Sequence, residues 1–255
     1  MYNYIYTLNK IGGITLNRKG FYFLLPVRCI IFFLIFTLGA LIAGKTAEEI
    51  SSGWSIAASI VNILTILLLV FAAKVRGGSY KELINYRKGQ SGIKTTMIVV
   101  IVSVVIGMSG MPLSGLIFYG TVMPEVSLKM IAPVPALLAV INVFVLPVTT
   151  ALAEDGLYLG AGTGSIKNKY ASVAVPAFFY AVQHCFIPFI PDIRYMAYRA
   201  FSFLPLTIVF CIFYRKKKDP VPLMAGHAVL DLATAASILA MSVIPGAYEQ
   251  MRGML

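Results

Sequence analysis

The stretch WSIAASIVNILTILLLVFAA, residues 54–73, carries no charged side chain along its whole length. At a rise of 1.5 Å per residue, a helix of about 20 residues spans ~30 Å, the hydrocarbon thickness of a bilayer. Its apolar residues do not alternate with polar ones. The strands of a membrane barrel run to about 10 residues and do alternate. A helix also pairs its backbone groups within itself, as lipid requires. Residues 54–73 therefore read as a transmembrane α-helix.

The rest of the chain repeats this pattern. Of its 255 residues, 59% are hydrophobic and 12% charged, whereas a soluble domain is about half apolar and about a quarter charged. Apolar runs at 21–43, 54–73, 95–119, 135–160, 173–190, 195–214 and 221–244 give seven spans. Pro112 interrupts the third, so a helix plus a re-entrant piece, and eight spans in all, is the alternative. The expected fold class is all-α, a polytopic membrane helix bundle. The polar loop 75–94 divides it into an N-terminal part, 1–94, with an interfacial segment and two spans, and a bundle over 95–255. No internal repeat is visible, and the glycine-rich run 160–165 reads as a helix end and loop, not a phosphate cradle.

The net charge of +11 reflects topology, because the basic residues sit in short loops. Lys10, Arg18 and Lys19 precede the first span; Lys74, Arg76, Lys81, Arg87, Lys88 and Lys94 follow the second; Lys167 and Lys169 follow the fourth; Arg215 to Lys218 follow the sixth. With seven spans these clusters fall on one side, which sets the N-terminus in the cytosol and the C-terminus outside, in a multi-pass plasma-membrane protein. Membrane lipid is the expected surrounding partner, and nucleic acid is not a partner. Cys29, Cys185 and Cys211 lie far apart in apolar runs and form no CxxC pair, so neither a disulfide framework nor a zinc ribbon is indicated.

Charged groups inside a bilayer cost a few kcal/mol each or more, and they usually face a protein interior and act there. Glu154 and Asp155 lie late in the fourth span, His184 in the fifth, and His227 and Asp231 early in the seventh. Arg28 and Arg199 are the remaining intramembrane charges; Arg28 is expected to snorkel to the interface. His227 and Asp231 are four residues apart and share a helix face. By helical rise these two lie ~9–15 Å from the basic side, Glu154 ~9 Å and His184 ~17 Å, depths that one pocket can join. Such a set suits two chemistries: a carboxylate and a histidine that deprotonate a water held between them, or Glu154, His184, His227 and Asp231 as ligands of a zinc-type ion. Cys185 adjoins His184, but helical neighbours point about 100° apart and form no dyad. Asn142 reads as interhelical glue.

The fragments AEDGLYL (153–159), YAVQH (180–184) and HAVLD (227–231), in this order on three hydrophobic segments, resemble the CPBP family. These are the CAAX-prenyl endopeptidases and bacteriocin-processing or bacteriocin-protection proteins, also called Abi. The family motifs are E-E-x-x-x-R, F-x-x-x-H and H-x-x-x-N/D, and the resemblance covers about 135–244. Glu154, His184, His227 and Asp231 match. Asp155 stands at the second Glu, Tyr180 at the Phe, and Leu159 at the Arg.

The resemblance implies a hydrolase, an intramembrane protease that cuts a hydrophobic or membrane-associated peptide or protein near the cytosolic face. It implies that Glu154 and His184 activate water and that His227 and Asp231 sit at the substrate carbonyl, with zinc as the metalloprotease alternative. An ionised Asp231 cannot donate to an oxyanion as Asn can; it must be protonated, orient His227 or bind metal. Asp155 and Tyr180 are supporting residues, and Arg199 is the expected substitute for the Arg missing at Leu159. The departures at Asp155 and Leu159 keep open a catalytically silent membrane scaffold or bacteriocin self-immunity protein. A proton-coupled transporter using the acid–histidine cluster is the other class of reading.

Overall fold

The structure, a computed structural model, describes residues 17–18 and 20–254. The expected interfacial segment with Lys10, and Lys19, lie outside the described residues. The described residues form helices and no strand. The long elements are α1 (Val27–Ala43, entered through a 3₁₀ turn, Phe21–Leu24), α2 (Trp54–Val75), α3 (Ile93–Tyr119) and α4 (Ala136–Thr150). A π-helix (Ala151–Thr163) continues α4 directly, and α5 (Ala171–Val182), α6 (Ile193–Lys217), α7 (Val221–Val243) and a short α8 (Ala247–Arg252) follow.

Six of these helical stretches are long and apolar enough to cross a membrane. This is fewer than the seven expected from the sequence, and the difference lies at 173–190. There α5 has only 12 residues, about 18 Å of helix, before a 3₁₀ turn at Gln183–Cys185. Pro188 and Pro191 offer no N–H to prolong it. The segment nevertheless runs antiparallel along α6. Arg215 donates to Ser172, Thr207 Oγ1 to the Ala177 carbonyl at 3.1 Å, Arg199 Nη2 to the Ile187 carbonyl at 2.9 Å, and Cys185 Sγ to the Met196 carbonyl at 3.1 Å. A half-helix and a turn thus cover the length that a full span was expected to cover. The Pro112 ambiguity resolves the other way: α3 is one continuous helix with the proline inside it.

The outward residues are those lipid would solvate: Ile42, Leu41, Leu137 and Phe144 are all exposed. Polar side chains knit helices where packing alone would not specify register. Ser59 Oγ donates to Asn142 Oδ1 at 2.7 Å, the role expected of Asn142, and Asn62 Nδ2 donates to Thr150 Oγ1 at 2.8 Å. At one end, Arg18 donates to the Leu83 and Gly160 carbonyls, Asn85 to the Lys218 carbonyl and Tyr214 to the Ile84 carbonyl. The described members of the basic clusters therefore gather at this end. The other end carries Lys129 paired with Glu48 and Arg194 bound to the Phe118 carbonyl.

Candidate functional site

The π-helix is the local feature that builds the site. Its i→i+5 pairing, seen where the Gly164 N–H meets the Leu159 carbonyl at 2.8 Å, widens the turn and narrows the angle between consecutive side chains. Glu154 and Asp155, adjacent in sequence, both point inward and are both buried. The same stretch packs closely on its neighbours: a Cβ at Gly160 would lie 3.1 Å from the Leu83 carbonyl oxygen. Leu159, where the resembling family has Arg, is fully buried in an apolar cluster with Leu69, Tyr158 and Phe210.

The acid's cation comes from elsewhere. Arg28 does not snorkel to the interface; it is fully buried and binds three elements at once. Its Nη2 donates to Glu154 Oε1 at 2.8 Å, its Nε to Gln183 Oε1 at 2.7 Å and its Nη1 to Thr65 Oγ1 at 3.1 Å. The substitute expected at Arg199 is not used: Arg199 holds the Ile187 carbonyl and stacks on Phe203, with no ion pair to Glu154. Burial explains the correction. A guanidinium deep in a bilayer is stable only where a carboxylate and further acceptors surround it, and α2, the π-helix and the 183–185 turn supply them together.

Proton counting then orders the rest. The Tyr180 hydroxyl donates to Asp155 Oδ1 at 2.8 Å and lies 2.9 Å from His227 Nδ1. Since the hydroxyl has one proton, given to Asp155, His227 Nδ1 carries its own and donates to the tyrosine oxygen. Nε2 of a neutral His227 is then a free base. Two buried carboxylate oxygens without hydrogen-bond partners face it: Glu154 Oε2 at 3.8 Å and Asp231 Oδ2 at 3.7 Å. Both gaps exceed a direct hydrogen bond and suit a bridging water. Tyr180 is further held by stacking on Tyr158, centroids 4.5 Å apart.

His184 stands apart. Its Nδ1 contacts the Tyr180 carbonyl at 3.0 Å and its ring lies flat on Phe203 at 3.5 Å; it makes no ion pair with Glu154 or Asp231. Among the described residues no group of three or more His, Cys, Asp and Glu side chains is arranged to hold a metal ion. The cluster's opening is on the α7 side, where the Asp231 side chain is 22% exposed while Asp155 is fully covered.

Arg28, Gln183, Thr65 and Tyr158 were not in the sequence-derived set. A charged residue about two turns into the first span, in a chain whose motif lacks its arginine, was the available signal for Arg28. No protein-family model, no curated protein and no solved structure matches this chain.

Proposed function

We propose that this chain is an intramembrane endopeptidase of CPBP type that uses water activated between Glu154 and His227. The observation that carries the reading is the pair of unpartnered oxygens, Glu154 Oε2 and Asp231 Oδ2, on either side of His227 Nε2. Arg28 occupies Glu154 Oε1 and leaves Oε2 as the only basic edge of that carboxylate. A water between Oε2 and Nε2 gives up a proton as its oxygen attacks a peptide carbonyl, and the imidazole or carboxyl then returns that proton to the leaving amine. Asp155 and Tyr180 fix the tautomer that leaves Nε2 free. His184 shapes the wall through Phe203 and the Tyr180 carbonyl. The basic end of the bundle would face the cytosol, with the N-terminus inside, in the plasma membrane. The substrate class is a hydrophobic or membrane-associated peptide or protein, such as a leader or a bacteriocin.

The test is cleavage of hydrophobic reporter peptides by the purified chain in proteoliposomes. Glu154→Gln and His227→Ala should each lower the rate by about 10²–10⁴-fold, and His184→Ala by less. Folded variants that keep the full rate would defeat the assignment of Glu154 and His227, and a folded parent chain that cleaves no peptide would defeat the hydrolase reading and favour a silent scaffold.

One observation favours a second reading. Asp155, Tyr180 and His227 form a short continuous hydrogen-bonded chain inside the bundle, of the kind a proton relay uses. Proton flux into liposomes that disappears with Tyr180→Phe, without peptide cleavage by the parent chain, would select it.

A further inference from the structure

Arg199 poses a problem that the site above does not absorb. It is 1% exposed, in the second turn of α6. Its Nη2 is spent on the Ile187 carbonyl, and the Phe203 ring covers one face at 5.0 Å from Cζ. Nε and Nη1 have no hydrogen-bond partner, and no ion pair among the described residues includes this guanidinium. Leaving a buried cation uncompensated costs several kcal/mol, and a bilayer offers no bulk water to offset it.

The neighbourhood is rich in further donors. The hydroxyls of Tyr119, Tyr195 and Tyr198 are buried and likewise have no partner. Tyr195 lies four residues before Arg199, on the same helix face. The Tyr198 ring is 6.3 Å from that of Tyr195 and 5.6 Å, edge-on, from that of Tyr119. Ile190, Tyr195 and Tyr198 form a cluster with Met111, Phe118 and Tyr119 packed against it. A fixed positive charge and several hydroxyls without acceptors call for an anion. Its size is limited, because these polar atoms are closed off from solvent; a lipid headgroup or a peptide does not reach them without displacing the cluster.

We infer that Arg199, with Tyr195 on its own helix face and Tyr198 next to it, binds a small inorganic anion of chloride size. The anion is the counter-ion that lets Arg199 stay buried while it holds the Ile187 carbonyl. It thereby supports the 183–190 turn that carries His184, whose ring stacks on the same Phe203. The inference does not depend on the hydrolase reading, since it concerns only what stabilises this turn.

The test is thermal unfolding of the full-length protein in detergent, at fixed ionic strength, in sodium chloride, bromide or gluconate. Gluconate is too large for the site. The wild type should melt a few degrees higher in chloride and bromide than in gluconate, with a saturable dependence on halide. Arg199→Met should abolish the difference, and Tyr198→Phe, which keeps the ring, should reduce it. If Arg199→Met does not fold, Tyr195→Phe and Tyr198→Phe carry the comparison, and anomalous scattering from bromide-grown crystals locates the ion. Bromide beside Arg199 supports the inference. Equal midpoints in the three salts, a halide effect unchanged in the variants, water alone beside Arg199, or Arg199-dependent retention of an anionic phospholipid would each overturn it.

Discussion

Arg28 and Glu154, 126 residues apart in sequence, meet at 2.8 Å with both side chains buried. The contact ties the first long helix to the π-helix and makes α1 part of the candidate site. Removing one member of a buried pair leaves the other charge unpaired, typically at about 3–5 kcal/mol. Arg28→Met should therefore lower stability by about that amount. The double variant Arg28→Met, Glu154→Gln should recover part of the loss, because neither charge is then stranded. Unfolding of the three variants in mild detergent, treated as a double-mutant cycle, measures the coupling.

The Tyr180 hydroxyl bridges Asp155 and His227. Tyr180→Phe keeps the ring on Tyr158 and removes only the bridge. The expected stability loss is about 1–3 kcal/mol, from leaving buried groups unsatisfied. The expected chemical signature is a change in His227 tautomer, read from imidazole ¹⁵N shifts. Unchanged shifts would refute the proton assignment.

Gly110 and Gly107 lie on α3 one turn apart but face different obstacles. A Cβ at Gly110 collides with the Ser202 backbone carbonyl of α6, which cannot move without the helix. At Gly107 it meets the tip of Leu230, 2.7 Å away, which can rotate. Gly110→Ala should cost about 1–3 kcal/mol or more, and Gly107→Ala clearly less. Melting temperatures of the two variants check the order.

Glu49 lies in the turn between α1 and α2, outside the membrane spans. The Thr46 backbone N–H at 2.6 Å, with the Thr46 hydroxyl at 2.8 Å, holds its carboxyl below the ordinary value of 4.5. A carboxyl with a depressed folded pKa stabilises above its unfolded pKa, and that contribution is lost as pH falls through the folded one. The turn should thus stay ordered at pH 4.5 and loosen below it. Glu49→Gln should remove that transition. The Glu49 carboxyl ¹³C titration, with a midpoint under 4.5, is the measurement.

Much of this molecule is legible in its residue order. Uncharged runs such as 54–73 specify membrane helices because lipid accepts only apolar side chains around a self-paired backbone. The ionisable residues within those runs announce themselves, and Asp155, Tyr180, His227, Glu154 and Asp231 do converge. The broken segment at 171–192 was less legible. A run of apolar residues gives the length of a hydrophobic stretch, whereas Pro188, Pro191 and the contacts to α6 decide whether it stays helical.

Sequence alone, then, determined a helical membrane bundle and the small set of buried acids, histidines and arginines it had to accommodate. Only the tertiary structure decided their partners. It assigned Arg28 and not Arg199 to Glu154, turned His184 onto Phe203, and used π winding to bring two consecutive acids to one side. The physical reason is that hydropathy is a local property of each segment, readable residue by residue. The pairing of buried charges is a contest among side chains from distant segments, settled by which helices pack close enough to bring a donor to an acceptor.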